Sequence, residues 1–185
     1  ALTHGHSLGY IPAAALVHII RAVCERDIDL KTAVGEAIAK MQELFADDEH
    51  IVEFTALMNK TVELSEQDTD DLDAIHLLGE GWVAEETLAI AVYCTLKHSD
   101  SFEKAIIASV NHSGDSDSTG AVTGNILGAY LGYQAIPDKY ITNLELHDII
   151  CEMAEDLYED CKMEEYGDYY DEKWDMKYIR GEYRK

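Results

Sequence analysis

The sequence predicts an all-α fold, a compact orthogonal bundle of helices, on three observations. Only two prolines occur in the 185 residues, Pro12 and Pro137, so little interrupts a helix between them. Apolar residues recur at spacings of three and four through most of the chain, which is the period of amphipathic helices. They make up 47% of the residues, close to globular usage, so the chain has enough apolar surface to form a core.

The first helix is predicted at residues 10–24, which are apolar almost all the way round. This pattern indicates a central buried helix, and the segment is too short to span a bilayer. The acidic run at 68–71 is interpreted as a helix cap, and residues 78–81 as a turn. Apolar residues at helical spacing indicate further helices at 30–45, 49–64, 70–78, 83–96 and 99–110.

The next predicted helix, residues 119–133, carries glycines at 120, 124, 128 and 132. These glycines lie on one ridge, and a ridge without side chains admits a neighbouring helix at close range. We therefore expect this helix to pack tightly inside the bundle. Thr123 and Asn125 argue against a membrane as the place of that packing.

The composition changes after Pro137. Residues 143–172 hold twelve acidic residues and one basic residue, yet apolar residues keep helical spacing between positions 144 and 157. We expect one domain over residues 1–185, in which 137–185 form an acidic, tyrosine-rich helix and a tail with a short terminal segment.

The net charge narrows the classes of partner. Fourteen Lys and Arg against 37 Asp and Glu give a formal net charge of −23. Such a field repels phosphate backbones and anionic lipids, so neither nucleic acid nor a membrane is expected as a partner. The four cysteines lie far apart and no signal peptide is visible, so we expect reduced packing thiols and a cytoplasmic location.

Residues 112–120 carry the clearest chemistry. Asp115, Asp117 and Ser118 supply two carboxylates and a hydroxyl at a helix start, and such oxygen ligands suit Mg²⁺, Mn²⁺ or Ca²⁺. Two carboxylates this close repel each other unless a cation or a proton lies between them. A helix-capping role for Asp115 and Ser118 is the alternative. An EF-hand is excluded because Ile126 stands where its loop needs a bidentate Glu.

Three blocks of sequence carry a family resemblance. Residues 114–137 read GDSDSTGAVTGNILGAYLGYQAIP, with a Gly-Asp-x-Asp-Ser motif before a glycine-rich helix. ALTHGHSLGYIPAAALV stands at 1–17 and LLGEGWVAEETLAIAVYC at 77–94. In this order the blocks resemble the C-terminal part of the ADP-ribosylglycohydrolase family. The resemblance covers residues 1–136 and implies that the chain is part of a larger all-α domain.

The resemblance implies a two-metal centre of Mg²⁺ or Mn²⁺ with Asp115, Asp117 and Ser118 among its ligands. In such enzymes the metals hold the ribose hydroxyls of ADP-ribose, and the glycosidic bond between ADP-ribose and a protein side chain is hydrolysed. Arginine is the side chain expected here. ADP-ribose or an ADP-ribosylated protein is then the ligand. His4 is implied at the edge of the cleft. Gly81 and Trp82 are implied beside the diphosphate, where backbone N–H groups at a helix N-terminus hold phosphate.

Family members also carry an N-terminal half with further metal ligands and the acidic residue that serves the catalytic water. No such motif is found here, so the catalytic residue is unassigned, the N-terminal half is the expected partner, and the chain alone is expected to be inactive. A non-catalytic ADP-ribose-binding or structural member of the same fold is the alternative. A calcium-binding acidic protein fits the charge but lacks a full ligand set.

Overall fold

The structure is a computed structural model that describes residues 3–26, 28–159 and 170–181. These residues form helices and turns without a strand, which confirms the all-α prediction. The helices are α1 Ser7–Arg26, α2 Leu30–Leu44, α3 Ile51–Glu66, α4 Asp71–Leu78, α5 Ala84–Lys97, α6 Phe102–Val110, α7 Ser116–Leu131, α8 Asp138–Ile141, α9 His147–Glu159 and α10 Glu172–Trp174. Contacts divide the chain at Pro137, where the composition changes, into a first unit of residues 1–137 and a second unit of residues 138–185.

The centre of the first unit is α5 rather than α1. Every residue from Leu88 to Thr95 is buried, and α5 contacts each of the six other helices of the unit. In α1 one face is buried against α2, α5 and α7, while Val17 on another face is 58% exposed. The prediction of a central first helix was wrong because an apolar composition does not show which sides are covered.

Helix α1 is also longer than predicted. This helix of 20 residues is long enough and apolar enough to cross a membrane, judged by length and composition alone. Core helices pass the same test, and the buried face of α1 accounts for its apolar composition. The cysteines differ in their exposure to solvent. Cys24 is exposed although it was expected to pack in the core, whereas Cys94 is buried as expected. Cys161 lies outside the described residues.

The acidic run at 68–71 has the structural role that was expected of it. Asp70 caps α4 by accepting a hydrogen bond from the Leu72 N–H at 3.0 Å. Asp71 joins α4 to α5, because its carboxylate accepts from the Tyr93 hydroxyl at 2.8 Å and lies 2.9 Å from the His98 Nε2. Burial, followed by the bond to Asp71, raises the pKa of Tyr93.

The glycine ridge of α7 is close to a neighbour only at its beginning. A Cβ at Gly120 would lie 2.5 Å from Val110 Cγ1 of α6, and one at Gly124 would meet Ile106 at an ordinary 3.8 Å. A Cβ at Gly128 would meet no atom within 4 Å. The helix packs inside the bundle as expected, against α1, α5 and α6, but the close approach at the glycines is limited to the first turns, because α6 is nine residues long and covers the ridge there alone.

In the second unit, the predicted acidic helix is α9, and no residue of α9 is buried. Lys177 forms ion pairs with Glu152 and Asp156, and the Tyr178 hydroxyl donates to Asp156. These contacts hold the pKa of the Asp156 carboxyl below its usual value. In the tail, α10 leads into a π turn at Asp175–Ile179, and residues 160–169 and 182–185 lie outside the described chain.

Candidate functional site

A groove of about 460 Å³ brings several of the predicted site residues together. It lies between α1, the start of α5 and the start of α7. Pro12, Ala13 and Leu16 of α1 form one apolar side. The predicted residues that line it are Gly81, Trp82, Asp115 and Ser118.

The groove does not include the other two predicted site residues. Asp117 is exposed in the first turn of α7, two positions after Asp115, and its pKa is lowered, first by a side-chain hydrogen bond with Asp115. The Ser118 N–H adds a second hydrogen bond at 2.9 Å. His4 is exposed before α1, with its Nδ1 2.8 Å from the Thr3 hydroxyl. Its contact with a substrate stays a prediction.

Asp115 is in the capping position of α7 but does not cap the helix through its side chain. It occupies the N-cap, and its carboxylate accepts no cap hydrogen bond from the backbone of the first turn. The capping alternative therefore does not explain Asp115. Its carboxyl instead lies within hydrogen-bonding reach of Asp117, and the residue lines the groove. Two acidic side chains in this position favour a shared cation or a shared proton.

Residues 111–115, named here the aspartate loop, are positioned by contacts with residues 79–82, named here the glycine turn. The Asp115 N–H donates to the Glu80 carbonyl at 2.7 Å. At Gly114 the two backbones approach so closely that a Cβ would lie 1.8 Å from that carbonyl oxygen. A glycine is therefore required before Asp115, because any side chain would push the aspartate loop away from the glycine turn.

The glycine turn is held from within its own segment. The Glu86 carboxylate accepts hydrogen bonds from the N–H groups of Glu80 and Gly81, both at 3.0 Å. The Thr87 hydroxyl donates to the Gly81 carbonyl at 2.7 Å, and the Trp82 indole N–H donates to the Glu80 carboxylate at 3.1 Å. The Gly81 N–H that was expected to bind phosphate therefore already has a carboxylate partner. Gly81 and Trp82 stay predicted substrate contacts through other atoms.

The electrostatics of the groove favour a cation over an anion. Asp115 lines the groove, Asp117 lies beside it on the first turn of α7, and the Glu86 carboxylate bonds to the glycine turn. Among the described residues, no Lys or Arg lines the groove. A diphosphate would be repelled here unless a divalent cation reversed the local sign.

The donor set fits such a cation in part. Asp115, Asp117 and Ser118 supply hard oxygen atoms of the kind that Mg²⁺ and Mn²⁺ prefer. In the part of the chain that the structure describes, no group of three or more His, Cys, Asp or Glu side chains is arranged to hold a metal. A complete centre would therefore need ligands beyond these three residues.

Sequence reasoning missed two residues that shape the site. Glu86 stands three residues after the N-cap position of α5, but that position is Val83 rather than the Ser or Thr of a capping box, and Glu86 bonds to residues 80 and 81 instead, so the local pattern did not identify its role. His112 lies on the aspartate loop, and its ring accepts a hydrogen bond from the Gly114 N–H at 3.1 Å. No local pattern indicates this role for His112, because its other ring partner is Thr119, on the far side of the loop.

Comparisons with known proteins identify the family of the chain. The family model for ADP-ribosylglycohydrolase matches residues 1–167, so the match includes the acidic helix α9 that the sequence analysis placed outside the resemblance. ADP-ribosylhydrolase ARH3 of Bos taurus is 24% identical over 178 residues, which cover 85% of this chain and 49% of that protein. The Mus musculus protein of the same name is 28% identical over 169 residues, 78% of this chain and 45% of its own.

A bacterial relative matches a shorter part. ADP-ribosylarginine hydrolase Tri1 of Serratia proteamaculans (strain 568) is 36% identical over 73 residues, which are 40% of this chain and 20% of that protein. The chain spans about half the length of the ARH3 proteins it matches. No solved structure gave a significant match.

Proposed function

Because the chain belongs to the ADP-ribosylglycohydrolase family, we propose that it carries one part of an active site that hydrolyses the bond between ADP-ribose and a protein side chain. The observation that carries this proposal is the placement of Asp115, which occupies a helix N-cap without capping and lines the groove. A residue that serves the fold alone has no need of that arrangement. The alternative is a non-catalytic ADP-ribose-binding or structural member.

We further propose that Asp115, Asp117 and Ser118 hold Mg²⁺ or Mn²⁺ as part of a two-metal centre. When bound, the metal supplies positive charge and a template for substrate oxygens. The chain's own residues then orient the ligand: the apolar side formed by Pro12, Ala13 and Leu16 excludes water, and the aspartate loop fixes the polar end.

Arginine is the proposed attachment site of the ADP-ribose. The relative that is named an ADP-ribosylarginine hydrolase supports this choice. Negative charge next to the groove supports it as well, since the Glu80 and Glu86 carboxylates lie at the glycine turn and carboxylates attract a guanidinium group. We place the reaction in the cytoplasm, as the reduced thiols suggest.

The test uses the chain together with the N-terminal half of its domain. Asp115→Asn and Asp117→Asn should each abolish Mn²⁺-dependent release of ADP-ribose from ADP-ribosylated arginine, because a lost ligand dismantles the centre without opening the core. Asp47→Asn, at an exposed position between α2 and α3, is the matched control and should retain full activity. Full activity of both site variants would refute the metal assignment.

The chain alone gives a second result. Three candidate oxygen ligands are too few for two metal ions, so the 185-residue chain should bind Mn²⁺ weakly and release no ADP-ribose. Adding the N-terminal half should restore metal affinity and hydrolysis together. Turnover by the chain alone would show that the remaining active-site residues lie within the chain itself.

A further inference from the structure

A relay of hydrogen bonds runs behind the aspartate loop, on the side away from the groove. The Gly114 N–H donates to His112 Nδ1 at 3.1 Å, so the neutral ring carries its proton on Nε2. That nitrogen lies 2.9 Å from the Thr119 hydroxyl and donates to it. The Thr119 hydroxyl in turn donates to the Ser109 carbonyl at 2.7 Å, its shortest contact.

These hydrogen bonds join the end of α6, the start of α7 and the aspartate loop that leads to Asp115. Thr119 is completely buried in the first turns of α7, and Ser109 is completely buried near the end of α6. His112 links both helices to the backbone of Gly114, the residue before Asp115. The opposite side of the aspartate loop is held by the Glu80 carbonyl. The loop is therefore held from both sides. The Asn111 side chain also donates to the Ile107 carbonyl at 2.7 Å, and the Thr119 N–H donates to the Asp115 carbonyl at 3.2 Å, but among these contacts His112 is the loop side chain that reaches α7.

We propose that His112 is a positioning residue, whose imidazole sets the orientation of Asp115 by bonding both ends of its ring to the loop and to α7. The proposal rests on the proposed role of Asp115 in metal binding. Groups that hydrogen-bond a metal ligand typically contribute about 10–100-fold to metal affinity, and His112 acts on Asp115 through the adjacent Gly114 backbone. His112 also lines a second groove of about 440 Å³, so its side chain can be replaced without removing a residue from the hydrophobic core.

The experiment compares three variants of the 185-residue chain. His112→Ala removes both bonds, His112→Asn retains an acceptor for the Gly114 N–H, and His112→Gln retains a donor for Thr119. His76→Ala is the matched control, because His76 lines the same second groove and is exposed. The first measurement is hydrogen exchange at the Asp115 amide, which bonds to Glu80 and not to His112. The second is the affinity for Mn²⁺ alone, followed by electron paramagnetic resonance.

We expect faster exchange at the Asp115 amide and about 10–100-fold weaker Mn²⁺ binding in His112→Ala. The Asn and Gln variants should each recover part of both effects, and His76→Ala should match the parent. Nitrogen NMR of the parent should show the Nε2–H tautomer of His112. Unchanged exchange at Asp115 in His112→Ala, or equal changes in His76→Ala, would overturn the proposal. If the parent alone shows no measurable Mn²⁺ binding but His112→Ala accelerates the exchange, the positioning role stands, and the metal assignment is decided by the assay that includes the N-terminal half.

Discussion

The glycine turn and the aspartate loop both precede a helix and both line the groove, yet they are held in different ways. The glycine turn is bonded by Glu86 and Thr87, which lie in the helix that it begins. The aspartate loop is bonded by Glu80 on a distant segment and by a histidine that reaches across to Thr119. One connection is shaped by its neighbours in sequence, and the other by tertiary contacts.

This difference shows where the site is vulnerable. The glycine turn can begin to form with α5, because the partners of the Glu80 and Gly81 N–H groups and of the Gly81 carbonyl lie within a few residues, and only its Glu80 carbonyl bonds to a distant segment. The aspartate loop depends on α5, α6 and α7 being in place together, because its anchors come from all three regions. The residues that carry the proposed metal site are therefore the ones that most need the finished fold.

The largest effect is expected at the contact that joins the two connections. Gly114→Ala would place a Cβ 1.8 Å from the Glu80 carbonyl oxygen, so the aspartate loop must move and the Asp115 hydrogen bond is lost. Overpacking of this kind costs about 1–3 kcal/mol, and we expect the upper end of that range because the clash is with backbone. Urea unfolding of Gly114→Ala measures this loss of stability. An unchanged midpoint would show that the loop does not depend on the turn.

Gly81→Ala tests a second contact of the glycine turn, the one with Thr119 of α7. Gly81 has φ of +81°, and a Cβ there would lie 2.9 Å from the Thr119 methyl group. The left-handed backbone costs a non-glycine residue about 1–2 kcal/mol, so the free energy of unfolding should fall by about that amount. Gly35→Ala is the control, because a Cβ there meets nothing within 4 Å and the residue is inside α2. An equal response of both variants would contradict the structure at Gly81.

A smaller and more local effect is expected at Glu86. Glu86→Gln keeps an acceptor for the two N–H groups but removes the charge, so the variant should lose about 0.5–1.5 kcal/mol of stability. Glu85→Gln is the control for the loss of one negative charge in the first turn of α5. Hydrogen exchange should accelerate at Gly81 and stay unchanged at Thr119. Acceleration at both positions would mean that the two connections are not held independently.

The smallest effect distinguishes the start of α7 from its end. Gly128→Ala should raise stability by about 0.5–1 kcal/mol, since Ala is favoured over Gly inside a helix and the added Cβ meets no atom. Gly120→Ala should lower it, because the Cβ would lie 2.5 Å from Val110. Thermal melting of the two variants tests whether close packing is limited to the turn that carries the aspartate loop.

Much of the fold follows from local patterns, and the prediction of its helices was correct for that reason. The apolar spacing at residues 30–45 and 49–64 corresponds to α2 and α3, and the acid before residue 71 is the cap of α4. Four of the predicted site residues line one groove because each lies at a helix start, which sequence marks with glycine and acidic residues.

The remaining features depend on contacts between segments. The sequence by itself determined which residues are helical, where the acidic charge lies and that Asp115, Asp117 and Ser118 share one turn. Only the tertiary structure decided that α5 is central, that Glu86 occupies the Gly81 N–H, and that the Asp115 side chain does not cap α7. The physical reason is range: helical period and capping act over three or four residues, whereas burial and the Glu80–Asp115 bond arise when distant segments pack together.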